Sequence, residues 1–228
     1  MIKADELQSL QQGHRARLRQ KFLDGHLVGY EILELLLTYA IPRRDVRMLA
    51  RQLYNKYKNI DDLLSAPIES LMSNEGVKEN TAILFKVIHK ITQLKYKSKL
   101  INEPVYHNYD QLERYCRSVV GGKTVEEFHV LYLDANYQMI KDETHSIGTV
   151  DWAAVYVREI VKKALDLNAR SIVLLHNHPT PEKSFSMEDL TITKDLAVAL
   201  KKLDIELFDH FLISGGILYS ARNLHVIN

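Results

Sequence analysis

The sequence predicts a small all-α domain followed by a larger α/β sandwich, and three observations carry that reading. Apolar residues recur at intervals of three and four through the first hundred positions, as on helices. After position 105, strand-like runs interleave with amphipathic helices, the pattern of a sheet packed against helices. The charge divides at the same place: residues 1–100 carry 17 Lys and Arg against 11 Asp and Glu, and residues 101–228 carry 13 against 18. A basic front and an acidic back describe two modules and point to an anionic partner for the first. The boundaries drawn are 1–97 for the helical domain, 98–105 for a polar linker containing Pro104, and 106–228 for the α/β domain.

In the front module, Leu33, Leu36, Leu37 and Ala40 share a helical spacing, and Pro42 ends the run. Asp45 is placed to cap a helix that puts Leu49, Leu53 and Tyr57 on one face. Short helices are expected over 61–64 and 67–72, with Pro67 in a first turn. A turn at Asn74-Glu75-Gly76 precedes a longer helix over 79–94. In the back module, 127–133 alternates and is rich in aromatic and β-branched residues, so it reads as a strand, with 137–147 as a second closed by Gly148. Residues 152–167 form an amphipathic helix with Val155, Ile160, Ala164 and Leu167 inward. The apolar run 171–175 suits a strand buried on both faces. A helix over 187–203 follows, then a hairpin of 208–213 and 217–220 across Gly215-Gly216.

Composition narrows the class. The 228 residues are 46% apolar and 26% charged, enough for a core, and a net charge of +1 gives no chain-wide field for nucleic acid or membrane. One cysteine, Cys116, allows no internal disulfide and no paired-thiolate metal site, which fits a reducing cytoplasm. No secretory apolar region opens the sequence, and no run nears the roughly 18 apolar residues of a membrane span. A cytoplasmic protein without membrane contact is expected.

The sharpest chemical signal is Leu175-His176-Asn177-His178-Pro179, at the end of the buried strand. Residues i and i+2 of a strand point to one side, so His176 and His178 can aim at one point. Ser186 and Asp189 follow at a helix start, where Asp189 can fold back toward the histidines. Two His and one Asp leave a fourth tetrahedral position for water, the pattern of a catalytic zinc site. Each part also has a plainer explanation: an isolated H-x-H is common, and S-x-x-D is an ordinary helix cap. A capped helix and a rigid ligand are compatible.

His176-x-His178, seven residues, Ser186, two residues and Asp189 together resemble the JAMM (MPN+) metalloprotease motif. Gly148-Thr149, the helix Val157-Arg158-Glu159-Ile160-Val161, the His176-Asn177-His178-Pro179 run and Asp209-His210 resemble landmarks of the bacterial RadC family, in order. The front module is similar, less sharply, to the helical N-terminal region of RadC proteins. The resemblance implies a JAMM/MPN-type, cytidine-deaminase-like sandwich with zinc on His176, His178 and Asp189, and a glutamate at the start of an early strand. Glu126 is the matching position, and a one-residue shift would exchange it for Glu127. It further implies hydrolysis of a peptide or isopeptide bond in a protein or peptide substrate. Glu126 would be the general base and Ser186 the donor to the oxyanion, and the historical family label is DNA repair. RadC sequences usually read Ser-Gly after this run where this chain has Thr180-Pro181, which bears on substrate fit and leaves the ligands intact.

Three other readings compete. Zinc nucleobase deaminases need H-x-E and P-C-x-x-C, which a single cysteine excludes. A metal-dependent nuclease has only the letters of the His-Asn-His run. A DNA-associated binding module with a vestigial or structural metal site draws on Arg15, Arg17 and Arg19. It draws also on Glu75-Gly76-Val77-Lys78, which is like a helix-hairpin-helix turn with Lys78 in place of the second glycine. Lone His129, His145, His210 and His225 are left outside the metal shell, with His210 the candidate for an outer contact.

Overall fold

The computed structural model describes residues 4–57, 59–148, 155–180 and 184–227. The chain forms two compact units, Met1–His89 and Lys90–Asn228. The first is helical: α1 (Ala4–Leu23), α2 (Tyr30–Ala40), α3 (Arg47–Lys56), α4 (Ile60–Ser65), α5 (Ile68–Met72) and the first part of α6 (Glu79–Asn102). Leu33 and Leu37 of α2, Ala50 and Leu53 of α3, Leu63, Leu71 and Phe85 make its core. The Asp45 carboxylate accepts from the Arg47 N–H at 3.0 Å, one residue ahead of the helix boundary at Val46. Asn59 caps α4 by accepting from the Asp62 N–H at 2.7 Å. Gly76 closes the turn into α6 at φ +89°, where a β-carbon would press on Leu49 at 3.3 Å, so the turn demands glycine.

The second unit is a five-stranded sheet in the order β2-β1-β3-β4-β5. Its strands are β1 (Glu127–Leu133), β2 (Met139–Ile147), β3 (Ser171–His178), β4 (Glu206–Ser214) and β5 (Ile217–Ser220). Among the described strands, only β3 and β4 pair in parallel. On one face, Phe128, Val130, Ile172 and Leu174 pack with Ile160 and Ala164 of α8 (Val155–Asp166) and Ile192 and Leu196 of α9 (Met187–Lys201). On the other, Leu131, Val173 and Leu175 pack with Leu112 and Cys116 of α7 (Tyr109–Val120) and with Leu100. Residues 171–177 are all buried, as a strand covered on both faces requires. Gly215 and Gly216 turn the β4–β5 hairpin at φ +56° and +80°, the positive pair such two-residue turns need. This is an α/β architecture, a mixed sheet flanked by helices and preceded by a helical region.

Two stretches differ from expectation. The segment read as a linker, 98–105, is helical as far as Asn102, because Lys99, Leu100 and Asn102 accept a helix and only Pro104 forbids one. Helix α7 is new; its inward residues Leu112, Tyr115, Cys116 and Val120 keep helical spacing. The expected helix start at Trp152, together with Thr149 and Pro181, lies outside the described residues. No described helix is long and apolar enough to cross a membrane.

Candidate metal centre

Strand β3 delivers two of the three converging candidate ligands. Its alternation puts the rings of His176 and His178 on the face that carries α9, and Asn177 on the opposite face. The third comes from a helix cap. Ser186 is the N-cap of α9: its Oγ accepts from the Asp189 N–H at 3.1 Å, and its own N–H donates to Asp189 Oδ2 at 2.8 Å. This reciprocal pair locks the Asp189 side chain against the strand end. His176 Nε2 lies 3.2 Å from His178 Nε2 and 3.3 Å from Asp189 Oδ1, and His178 Nε2 lies 3.3 Å from Asp189 Oδ2.

Those spacings test whether an ion fits. A tetrahedral zinc with bonds of about 2.0–2.1 Å holds its ligand atoms about 3.3–3.4 Å apart. The two imidazole nitrogens stand 3.2 Å apart and each meets a different Asp189 oxygen at 3.3 Å, close to that separation, so the donor set suits a borderline-soft divalent cation. Burial alone would raise the pKa of Asp189, but the His176 and His178 rings and the Ser186 N–H hold the carboxyl well below the usual carboxylate range. It is therefore negative at any physiological pH, as a carboxylate ligand must be.

Behind the ligands runs a buried chain of hydrogen bonds that fixes which nitrogen of His176 is bare. The Thr193 hydroxyl donates to the Asp189 carbonyl at 2.5 Å, so its oxygen must accept from His210 Nδ1–H, 2.6 Å away. Burial, then the nearby His176 ring, push the pKa of His210 far down and keep it neutral. Its Nε2 therefore carries a lone pair and accepts from His176 Nδ1–H at 2.8 Å. A neutral His176 thus keeps its one proton on Nδ1 and presents a bare Nε2 to His178 and Asp189, the tautomer a metal ligand needs. His210 was singled out in the sequence; Thr193, in the second turn of α9, had no local signal.

Glu126 and Glu127 separate cleanly. Glu126 precedes β1 and lines a cleft of about 260 Å³ with His178, Thr180, Ser186, Glu188 and Asp189. Glu127 faces the other side of the sheet, bonded to Lys123 at 2.9 Å and to His129 Nε2 at 3.2 Å. There His129 also meets Asp142 at 3.2 Å, and Asp142 accepts from the Tyr115 hydroxyl at 2.6 Å. His145 is bound to Tyr132, and His225 is exposed. Among the described residues, the one group of His, Cys, Asp and Glu able to share an ion is His176, His178 and Asp189.

In the helical unit, Arg17 and Arg19 are exposed, and Lys78 is exposed beside the half-buried Gly76. Arg15 is not free to reach outward: its guanidinium donates to the carbonyls of Ile41 at 3.3 Å and Arg44 at 2.6 Å. Those two bonds bring the basic stretch of α1 beside the turn bearing Arg43 and Arg44.

The family of RadC-like JAB domains matches residues 106–226. A UPF0758 protein of Fusobacterium nucleatum is 37% identical over 219 residues, covering 92% of this chain and 94% of its own length. A UPF0758 protein of Ruegeria pomeroyi is 36% identical over 212 residues, covering 92% and 95%.

Proposed function

Because this chain belongs to the RadC family, with its JAB/MPN-type domain, we propose that it is a zinc-dependent hydrolase of peptide or isopeptide bonds. The observation that carries the reading is the convergence of His176, His178 and Asp189, whose imidazole nitrogens lie 3.2 Å apart and each 3.3 Å from an Asp189 carboxylate oxygen. Zinc held there supplies a water acidified toward neutrality and a Lewis acid for a carbonyl oxygen. Glu126 opens on the same cleft, where its carboxylate accepts the proton of the attacking water and returns it to the leaving nitrogen. Ser186 accepts from Asp189 and keeps its own hydroxyl proton to donate to the substrate carbonyl oxygen as charge builds there. Thr180 and Glu188 line the cleft beside these groups. The test is metal analysis of protein purified without added metal, followed by peptide and isopeptide cleavage assays of the loaded chain and its Glu126→Gln variant. About one zinc per chain and cleavage lost in the variant support the reading. Absence of zinc, or cleavage unaffected by Glu126→Gln, removes it.

A second reading concerns the helical unit. The Arg15 hydrogen bonds gather Arg17, Arg19, Arg43 and Arg44 into one basic neighbourhood, suited to a phosphate backbone. We infer DNA binding there as a separate property, with Gly76 and Lys78 as a further candidate point of attachment.

A further inference from the structure

Asn177 stands between the two histidine ligands and is turned away from them, with 3% of its surface exposed. Its amide makes two hydrogen bonds to another part of the chain. Oδ1 accepts from the Glu127 N–H at 3.0 Å, and Nδ2 donates to the Val125 carbonyl at 3.1 Å. The Val125 carbonyl belongs to the peptide plane before Glu126, and the Glu127 N–H to the plane after it. Planar peptides leave a residue only φ and ψ, so gripping both flanking planes fixes the backbone direction of Glu126. The sheet does not do this by itself. Pairing of β1 with β3 begins at Phe128 opposite His176, and Glu126 lies beyond it. On the β2 side, the Glu126 carbonyl accepts from the Gly148 N–H at 2.8 Å, and β1 pairing begins with Glu127 opposite Ile147.

Only a side chain with a donor and an acceptor on one short arm can make both bonds. Aspartate offers acceptors alone, alanine neither, and glutamine places the amide one carbon farther out. The same residue is covalently joined to His176 and His178. One side chain thus ties the backbone of the ligand strand to both sides of Glu126.

We propose that Asn177 is a positioning residue: its amide sets where the Glu126 carboxylate stands relative to His176, His178 and Asp189. The proposal rests on the reading of Glu126 as the proton acceptor of this site, and its test needs no substrate. The full-length chain, labelled with carbon-13 at glutamate, is compared as wild type, Asn177→Ala and Asn177→Asp, each loaded with cobalt(II) or zinc. Paramagnetic broadening falls steeply with distance, so the Glu126 carboxyl resonance reports its position near the ion, and Glu127 on the far face serves as the internal reference. Amide exchange at Glu127 is followed in the same samples.

In the wild type, cobalt broadens Glu126 much more than Glu127. In Asn177→Ala the Glu126 broadening drops with cobalt still bound, and the Glu127 amide exchanges at least about fivefold faster, the equivalent of one ordinary hydrogen bond. Asn177→Asp keeps the acceptor for Glu127 and loses the donor to Val125. It should protect the Glu127 amide and still release Glu126, a split that general loosening would not produce. Equal Glu126 broadening in wild type and Asn177→Ala overturns the proposal, as does unchanged Glu127 exchange in the alanine variant. If cobalt binds none of the three, the metal centre itself is refuted, and Glu127 exchange alone then decides whether the clamp exists. If the alanine variant fails to fold, the aspartate variant decides by the same two measurements.

Discussion

Replacing Thr193 by valine removes one hydroxyl from a site where Thr193 and His210 are both fully buried, and leaves the side-chain shape intact. His210 Nδ1–H then has no acceptor, and an unpaired buried donor costs about 1–3 kcal/mol. His210 escapes that cost only by carrying its proton on Nε2, where it would point at His176 Nδ1–H, 2.8 Å away. His176 would have to answer by moving its own proton to Nε2, the atom that faces His178 and Asp189. On either branch the bare-Nε2 form of His176 is disfavoured, by strain behind it or by a proton on the ligand atom. Outer partners of metal-bound histidines typically contribute 10–100-fold in affinity, so Thr193→Val should weaken zinc binding by about that factor, or roughly 1.4–2.7 kcal/mol. Competition with a chromophoric chelator measures it, and thermal unfolding of the metal-free chain measures the structural cost, roughly 2–4 °C per kcal/mol at this size. Thr193→Ser should restore the affinity. A lower Tm with undiminished zinc affinity would refute the reasoning, because it would show a hydroxyl that only fills space.

Three further outcomes are expected. His176→Ala, His178→Ala and Asp189→Ala should each lose zinc, whereas Glu126→Gln and Glu127→Gln should retain it, as metal analysis will show; of these two, only Glu126→Gln should abolish cleavage. Burial raises the pKa of Asp142, but hydrogen bonds from His129 and Tyr115 outweigh it and hold the carboxyl below its usual value of 3.8. Its stabilisation is therefore full above that value and lost as pH falls through the depressed one. Asp142→Asn should be less stable at pH 7 by about 1–3 kcal/mol in urea unfolding, with the gap closing below about pH 4. For DNA, Arg17→Glu, Arg19→Glu and Arg43→Glu together should weaken binding of the full chain to a random duplex. They should also flatten its salt dependence by about 0.9 for each phosphate no longer neutralised, while Arg15 is spared because it holds the unit together. No binding at low salt would remove nucleic acid from the account.

What the sequence made legible at this centre is what depends on short spacing. Two histidines separated by a single residue share a strand face by alternation alone, and Ser186 and Asp189 are joined by the geometry of a first helical turn. The choice between Glu126 and Glu127 lay beyond that reach, because adjacent strand residues differ only in which face they take. What orients them is a pair of hydrogen bonds across fifty residues of chain, from Asn177 to Val125 and Glu127. The polar stretch before Pro104 misled for a related reason: the exposed side of a helix has the composition of a linker, and only the buried Leu100 marks its inner side. Thr193 shows the same limit from within a helix, where a threonine reads as one more indifferent position until His210 arrives from β4 to meet it. The candidate ligands are thus supplied by local sequence, while their protonation state and the direction of Glu126 are set by Thr193, His210 and Asn177, residues whose chemistry exists only once the sheet has formed. Substitutions among those three should alter the properties of the ion and of Glu126 without removing a ligand, which separates orientation from coordination.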